Sequence, residues 1–200
     1  MTLFSTAYFP SINYMARFLR EDEPFIEIHE TYCKQTYRNR CNVMTANGVQ
    51  MLSVPVVKMN GNHTMTKDIA VSYDEPWQQV HRRCLESAYR NSPYFDHYFD
   101  FIRPVFEQRF SRLIDLNDMA LAALMKMLKV KKEIVHTEDY VHEVENDLRD
   151  AFSPKRPIDA SLFPTYYQVF STKFPFAPDL SVLDLVFNEG PEALDYLTSL

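Results

Sequence analysis

Leu3-Phe4-Ser5-Thr6-Ala7-Tyr8-Phe9-Pro10-Ser11-Ile12-Asn13-Tyr14-Met15-Ala16-Arg17-Phe18-Leu19-Arg20 and, after Glu21-Asp22-Glu23-Pro24, Phe25-Ile26-Glu27-Ile28-His29 decide the fold. Leu3 to Tyr8 reads as a short strand. Pro10 closes it, and Ser11 stands where a helix N-cap belongs. Ile12, Met15, Ala16 and Leu19 follow at i, i+3, i+4 and i+7, the apolar stripe of a helix. The charged run Arg20 to Glu23 and Pro24 end it, and Phe25 to His29 reads as a second strand. Strand, helix and strand on short links form a βαβ unit, whose crossover geometry favours a parallel pair.

Outward from this unit, Cys41 to Thr45 and Val49 to Val54 flank Asn47-Gly48, a pair that tolerates positive φ and so predicts a hairpin. The character changes at Glu75. Trp77, Val80, Cys84, Leu85 and Ala88 lie at helical spacing, and Ser92-Pro93 breaks that pattern. A second helix is expected from Tyr94 to Arg103, kinked or restarted by Pro104. Asp118 reads as the cap of a third, carrying Leu121, Leu124, Met125 and Leu128, with Lys129, Lys131 and Lys132 at the end where the dipole favours cations. Glu133 to His136 reads as a strand, and Thr137 to Leu148 as a further helix. After a connector at Ser153 to Pro157, Ser181 and Asp184 approximate a capping box. Gly190 suits a C′ position, and Pro191 suits the first position of a last helix.

The expected fold class is α/β: an N-terminal βαβ unit plus an Asn-Gly hairpin in a mixed sheet, followed by a mostly helical second half packed on it. The chain reads as a single α/β domain over residues 1–200, with a sheet-rich part at 1–72, a helical part at 73–152 and a C-terminal extension at 153–200. No Gly- or Ser-rich linker near residue 72 would separate them.

Composition narrows the function. Two hundred residues can bury roughly 70% of the unfolded surface, so no disulfide or metal staple is needed. With three glycines, Gly48, Gly61 and Gly190, no Walker A loop, dinucleotide fingerprint or kinase glycine loop can be built. No GxSxG elbow is present. The N-terminus lacks a basic, then apolar, leader pattern, and no run approaches a membrane span. Three cysteines without that pattern read as reduced thiols, and the expected location is cytoplasmic. Net charge is −6, which argues against nucleic acid as a partner. It is unevenly spread. Thr31 to Lys67 has no acid, and Lys34, Arg38, Arg40, Lys58 and Lys67 make it +5, so the remainder carries −11.

These observations converge on one edge. In an open parallel sheet, ligands bind outside the carboxyl ends of the strands. Two loops, Tyr8 to Asn13 and Glu30 to Arg40, meet there if the βαβ unit is parallel. The helix N-terminus, rich in free N–H groups, would then sit beside Lys34, Arg38 and Arg40 and receive an anion. The candidate ligand-binding residues are Tyr8, Asn13, Lys34, Arg38, Asn39 and Arg40, and the candidate acid/base pair is His29 and Glu30. Alternatives stay open. The cations can be a solvated loop, His81 and His97 structural, and Cys33 and Cys41 core thiols rather than nucleophiles beside His29. His136, Asp139 and His142 have loose metal-like spacing. No cofactor or metal is assigned. The expected partner is a small anionic molecule, with a homodimer left open.

Ala7-Tyr8-Phe9-Pro10-Ser11-Ile12-Asn13-Tyr14, His29-Glu30-Thr31-Tyr32-Cys33-Lys34-Gln35-Thr36-Tyr37-Arg38-Asn39-Arg40 and Leu52-Ser53-Val54-Pro55-Val56 together resemble the WbqC-like family. So do Tyr89-Arg90-Asn91-Ser92-Pro93-Tyr94-Phe95, Leu116-Asn117, Leu180 to Leu185 and Asn188 to Pro191. Ser5-Thr6-Ala7 stands where members usually have Gln-Pro, and Ser11 and Asn13 replace their Trp and Gly. The resemblance implies a place in bacterial surface-polysaccharide assembly of the O-antigen type. On that basis the expected function is a transferase binding a phosphorylated or otherwise anionic donor, such as a sugar nucleotide, or acting on an amino sugar. The alternatives are a non-catalytic binding or scaffold protein of the same pathway and a metal-dependent hydrolase using His136, Asp139 and His142.

Overall fold

The computed structural model describes residues 1–200. Strand β1 (Thr2–Ser5) leads through helix α1 (Ile12–Arg20) to β2 (Pro24–Glu27), and β1 and β2 pair in parallel, Thr2 opposite Pro24 and Ser5 opposite Glu27. The hairpin strands β3 (Arg40–Thr45) and β4 (Gly48–Ser53) follow, then β5 (Val56–Val57) and β6 (Ala70–Val71), which pair antiparallel. Helices α2 (Trp77–Tyr89), α3 (Phe95–Glu107) and α4 (Leu113–Met127) form the middle of the chain. Two short strands, β7 (Val135–His136) and β8 (Asn146–Asp147), come next, and α5 (Val182–Glu189) and α6 (Ala193–Ser199) end the chain.

The main sheet has the order β7-β2-β1-β8, with every pair parallel. All four residues of β1 are buried, which is what a central parallel strand covered on both faces requires. The α/β class is as expected. The hairpin does not join this sheet, however; β3 and β4 form their own ribbon. Its turn also differs. Thr45 pairs with Gly48 around Ala46-Asn47, and only Gly48 takes positive φ (97°). Gly48 therefore follows the turn, and the Thr45 hydroxyl pins it by donating to the Gly48 carbonyl (2.9 Å) and accepting from the Asn47 amide (3.2 Å).

Other boundaries move for physical reasons. Helix α1 buries Ile12, Tyr14, Met15, Ala16 and Phe18, a wider arc than the predicted stripe, because the C-terminal helices cover its second side. Phe4 of β1 meets Tyr14 and Phe18 edge-on, both at 5.3 Å. Helix α3 runs through Pro104 without a break. Helix α4 starts at Leu113, not at Asp118, because Leu113 N–H donates to the Ile69 carbonyl and Arg112 bridges Ala70. The face of α2 is also rotated: His81 is buried, whereas Val80 is 54% exposed.

The helix expected from Thr137 to Leu148 does not form. The buried carboxylate of Glu27 accepts from the Thr137 hydroxyl (2.9 Å) and the Val141 amide (3.0 Å), drawing that segment across the strand ends. Its tail becomes β8, added beside β1. At the other terminus Ser181 does cap α5, accepting from the Leu183 amide. Asp184 takes no part in a capping box. It is fully buried and accepts from Tyr89 (2.8 Å), Tyr166 (2.5 Å) and Gln168 (3.0 Å). Gly190 takes φ 54°, and a Cβ there would lie 2.5 Å from the Tyr94 ring, so only glycine fits. One apolar cluster runs from Phe4 to Leu197 and includes α2, α3 and α4.

Candidate functional site

The two loops expected to meet do meet. The Tyr8 amide donates to the Tyr37 carbonyl (2.9 Å). Asn117 of α4 clamps both loops, its Nδ2 reaching Thr6 Oγ1 (2.9 Å) and the Arg38 carbonyl (2.8 Å). What fills their meeting point is protein, which corrects the reading of an open helix N-terminus. The Asn13 amide donates to Asp179 Oδ1 (2.7 Å), the Ile12 amide to the Leu180 carbonyl (2.9 Å) and the Tyr14 amide to the Ser11 hydroxyl (3.4 Å). The first turn of α1 already holds an anion, the carboxylate of Asp179, and burial pushes that carboxyl up to about 6.

Arg38 is equally committed. It is 2% exposed, and its Nε and Nη2 hold Glu30 Oε1 at 2.8 and 2.7 Å. Burial raises the Glu30 pKa, and Arg38 pulls it back down. Tyr8 is wholly buried, its hydroxyl 3.0 Å from His81 Nδ1, and burial pushes the His81 imidazole down to about 4. His29 has both ring nitrogens engaged. Nε2 lies 3.1 Å from the Thr137 carbonyl and can only donate to it, so Nδ1 accepts from Lys67 Nζ at 3.2 Å.

The remaining candidates form a different feature. Lys34, Asn39 and Arg40, with Tyr32, Gln35, Val56 and Lys58, line an open cleft of about 460 Å³ beside the β2–β3 connection. Three of its seven lining residues are cations and none is an acid. None of these cations has a carboxylate partner. The floor is rigid. The Val54 amide donates to the Asn39 carbonyl (2.8 Å), and Asn39 Nδ2 donates to the Val54 carbonyl (2.8 Å). That leaves Asn39 Oδ1, on a side chain 6% exposed, without a donor, and Arg40 Nε without an acceptor. Lys58 stands 5.4 Å over the Tyr32 ring, whose hydroxyl is pushed up to about 12 by burial, against the pull of Arg38 and Arg40.

Sequence reasoning named Lys34, Asn39 and Arg40 of this cleft but not Tyr32, Gln35, Val56 or Lys58. The acid-free window contains all seven, and that was the available signal. The third wall arrives through β5, whose pairing with β6 is long-range. Cys41 is buried and its thiol pushed up well above its ordinary range, and Cys33 is exposed. His136 pairs with Asp118 (3.1 Å) and His142 packs on Tyr140 (4.9 Å), so the loosely spaced His136, Asp139 and His142 do not converge. No helix is long and apolar enough to cross a membrane.

The fold and cleft define an α/β protein with a four-stranded parallel centre and a cationic groove beside it. The WbqC-like protein family model matches residues 6–161, and the chain belongs to that family. It is 26% identical over 220 aligned positions, 95% of this chain and 94% of the relative, to the uncharacterised protein Rv1507c of Mycobacterium tuberculosis (strain ATCC 25618 / H37Rv). No solved structure matches.

Proposed function

We propose that this protein is a transferase of surface-polysaccharide assembly that holds a phosphorylated donor in the Tyr32–Lys58 cleft. The observation that carries this reading is the cleft itself: Lys34, Arg40 and Lys58 converge with no acid among the lining residues and no carboxylate partner. Unpaired cations around a concave, half-enclosed surface attract small anions. Arg40 has the fork geometry for a phosphate. Asn39 Oδ1, lacking any donor in the protein, orients the hydroxyl or amine of the acceptor. Glu30, two residues before Tyr32 and held by Arg38, is the proposed base, with His29 the alternative. The link to polysaccharide rests on the family alone.

The test is a thermal-shift panel of nucleotide sugars, nucleotides, acyl-CoAs and inorganic phosphate on the wild type and Arg40→Ala. A ligand at about 100 times its Kd stabilises by roughly 2.7 kcal/mol, about 5–10 °C for a chain of this size. One phosphorylated class is expected to shift the wild type and not the variant. If none does, the reading fails. The full engagement of His29 and Glu30 by the protein favours a second reading, a binding protein without turnover. Binding without consumption of any donor would select it.

A further inference from the structure

The rim of the basic cleft is apolar. Of the twelve large apolar side chains that the whole chain exposes, five (Val49, Met51, Val57, Met59 and Met65) lie between positions 49 and 65, so they are grouped rather than scattered. Their neighbours are the lining residues of the cleft. Met51 Sδ lies 3.7 Å from Arg40 Nη1, and Val49 stands two positions before it on the same face of β4. Val57 and Met59 flank Lys58, and Met59 is 70% exposed. Met65 bridges Thr31, next to Tyr32, whose amide donates to the Thr64 carbonyl (3.0 Å).

Charge says what covers this face. From Thr31 to Lys67 the chain carries +5 and no acid, whereas the remainder carries −11. Lys34, Arg40 and Lys58 have no carboxylate partner. Exposed apolar side chains interleaved with unpaired cations match the head-group region of an anionic bilayer, where phosphates overlie hydrocarbon. The apolar groups enter it, and the cations stay with the phosphates on their long stems. The acidic remainder of the protein is repelled by such a surface, so this face alone can approach it. A protein partner fits less well. Lysine is depleted at protein interfaces, whose energy comes from aromatic and arginine anchors seated in pockets. None of the five exposed apolar side chains here is aromatic.

We propose that this face docks on an anionic membrane surface, Met59 and Met65 entering the head-group region while Lys34, Arg40 and Lys58 meet lipid phosphates. The cleft then opens onto the bilayer, and a phosphorylated group carried on a lipid reaches it without leaving the membrane. The proposal deepens the reading of the cleft given above, on whose accessible cations it rests.

Co-sedimentation of the full chain with vesicles tests it, using phosphatidylcholine alone and phosphatidylcholine with about a third phosphatidylglycerol, at low salt and at about 0.5 M salt. The chain is expected to pellet with the anionic vesicles at low salt, far less at high salt, and not with neutral vesicles. Lys58→Gln is expected to weaken binding about fivefold. Met59→Ser combined with Met65→Ser changes two exposed side chains outside the cleft lining. It is expected to weaken vesicle binding about tenfold and to leave the thermal shift by a soluble phosphorylated donor unchanged. Phe101→Ser, exposed on α3, is expected to bind as the wild type does. Failure to bind anionic vesicles overturns the proposal, as does equal binding to neutral ones, or a paired methionine variant that binds like the wild type. A dimer formed without lipid and dissolved by the paired substitution overturns it too, because a second copy then covers the face. In each of those cases a soluble donor that still shifts the wild type leaves the reading of the cleft standing. Vesicle binding with no soluble donor bound ends that reading and not this one.

Discussion

Arg38→Met removes one half of a buried ion pair and leaves the other half in place. Arg38 is 2% exposed, and the side chain of Glu30, its partner at 2.7 Å, is 12% exposed. Burial already raises the Glu30 pKa while Arg38 restrains it, so without Arg38 the carboxyl rises further. Leaving a charge uncompensated in such a site costs about 3–5 kcal/mol. For about 200 residues that is a fall in Tm of roughly 6–20 °C. The sign with pH follows. A carboxyl whose folded pKa lies above its unfolded value binds its proton more readily when folded, so stability falls as pH rises between the two values. The variant is therefore expected to lose most above pH 7 and to recover toward pH 4–5, relative to wild type. Glu30→Leu together with Arg38→Met is expected to recover most of the loss, because no charge remains buried. Urea unfolding of the three proteins at pH 4.5 and 7.5 measures this. A loss below 1 kcal/mol at pH 7.5, or a loss unrelieved in the double variant, would refute the reasoning. The same result makes Arg38 a poor probe of ligand binding, and is why Arg40 serves instead.

Two further predictions concern groups buried by the tertiary fold. Burial holds His81 at about 4, below its unfolded 6.5, so its contribution to stability is complete above pH 6.5 and is lost as pH falls toward 4. The loss is about 3 kcal/mol, and His81→Phe paired with Tyr8→Phe is expected to flatten that part of the urea-derived profile. Asp179 has the opposite sign: raised to about 6, it lowers stability as pH rises from about 4 to 6. Asp179→Asn keeps an acceptor for the Asn13 amide and is expected to remove that slope, whereas Asp179→Ala is expected to lose about 0.5–2 kcal/mol with the cap. Chemical denaturation across pH 4–8 checks both.

The βαβ unit was legible because its signals are local. Ser11 caps α1, Pro24 opens β2, and the apolar spacing between them has one reading. Gly190 was legible for the same reason, since a positive φ after a helix selects glycine wherever the helix packs. The acid-free window from Thr31 to Lys67 also marked the basic cleft before any contact was known. The fate of each cation was not legible. Arg38 and Arg40 are two residues apart and alike in sequence, yet one is buried against Glu30 and the other faces a cleft without a carboxylate partner. Strand alternation would put residues two apart on one face, but Arg38 lies in the turn before β3 begins at Arg40, so the difference is set only by the packing around that turn. The same holds at the two helix starts. Asp179 lies 166 residues from the α1 amide it caps, and no local pattern could show that α1 is closed while α2 stays open. Nor could a local pattern show that 137–148 would be pulled straight by Glu27. Sequence alone determined the elements with local caps and spacing. Tertiary structure decided which charges are paired, because pairing depends on long-range geometry and on the desolvation it imposes.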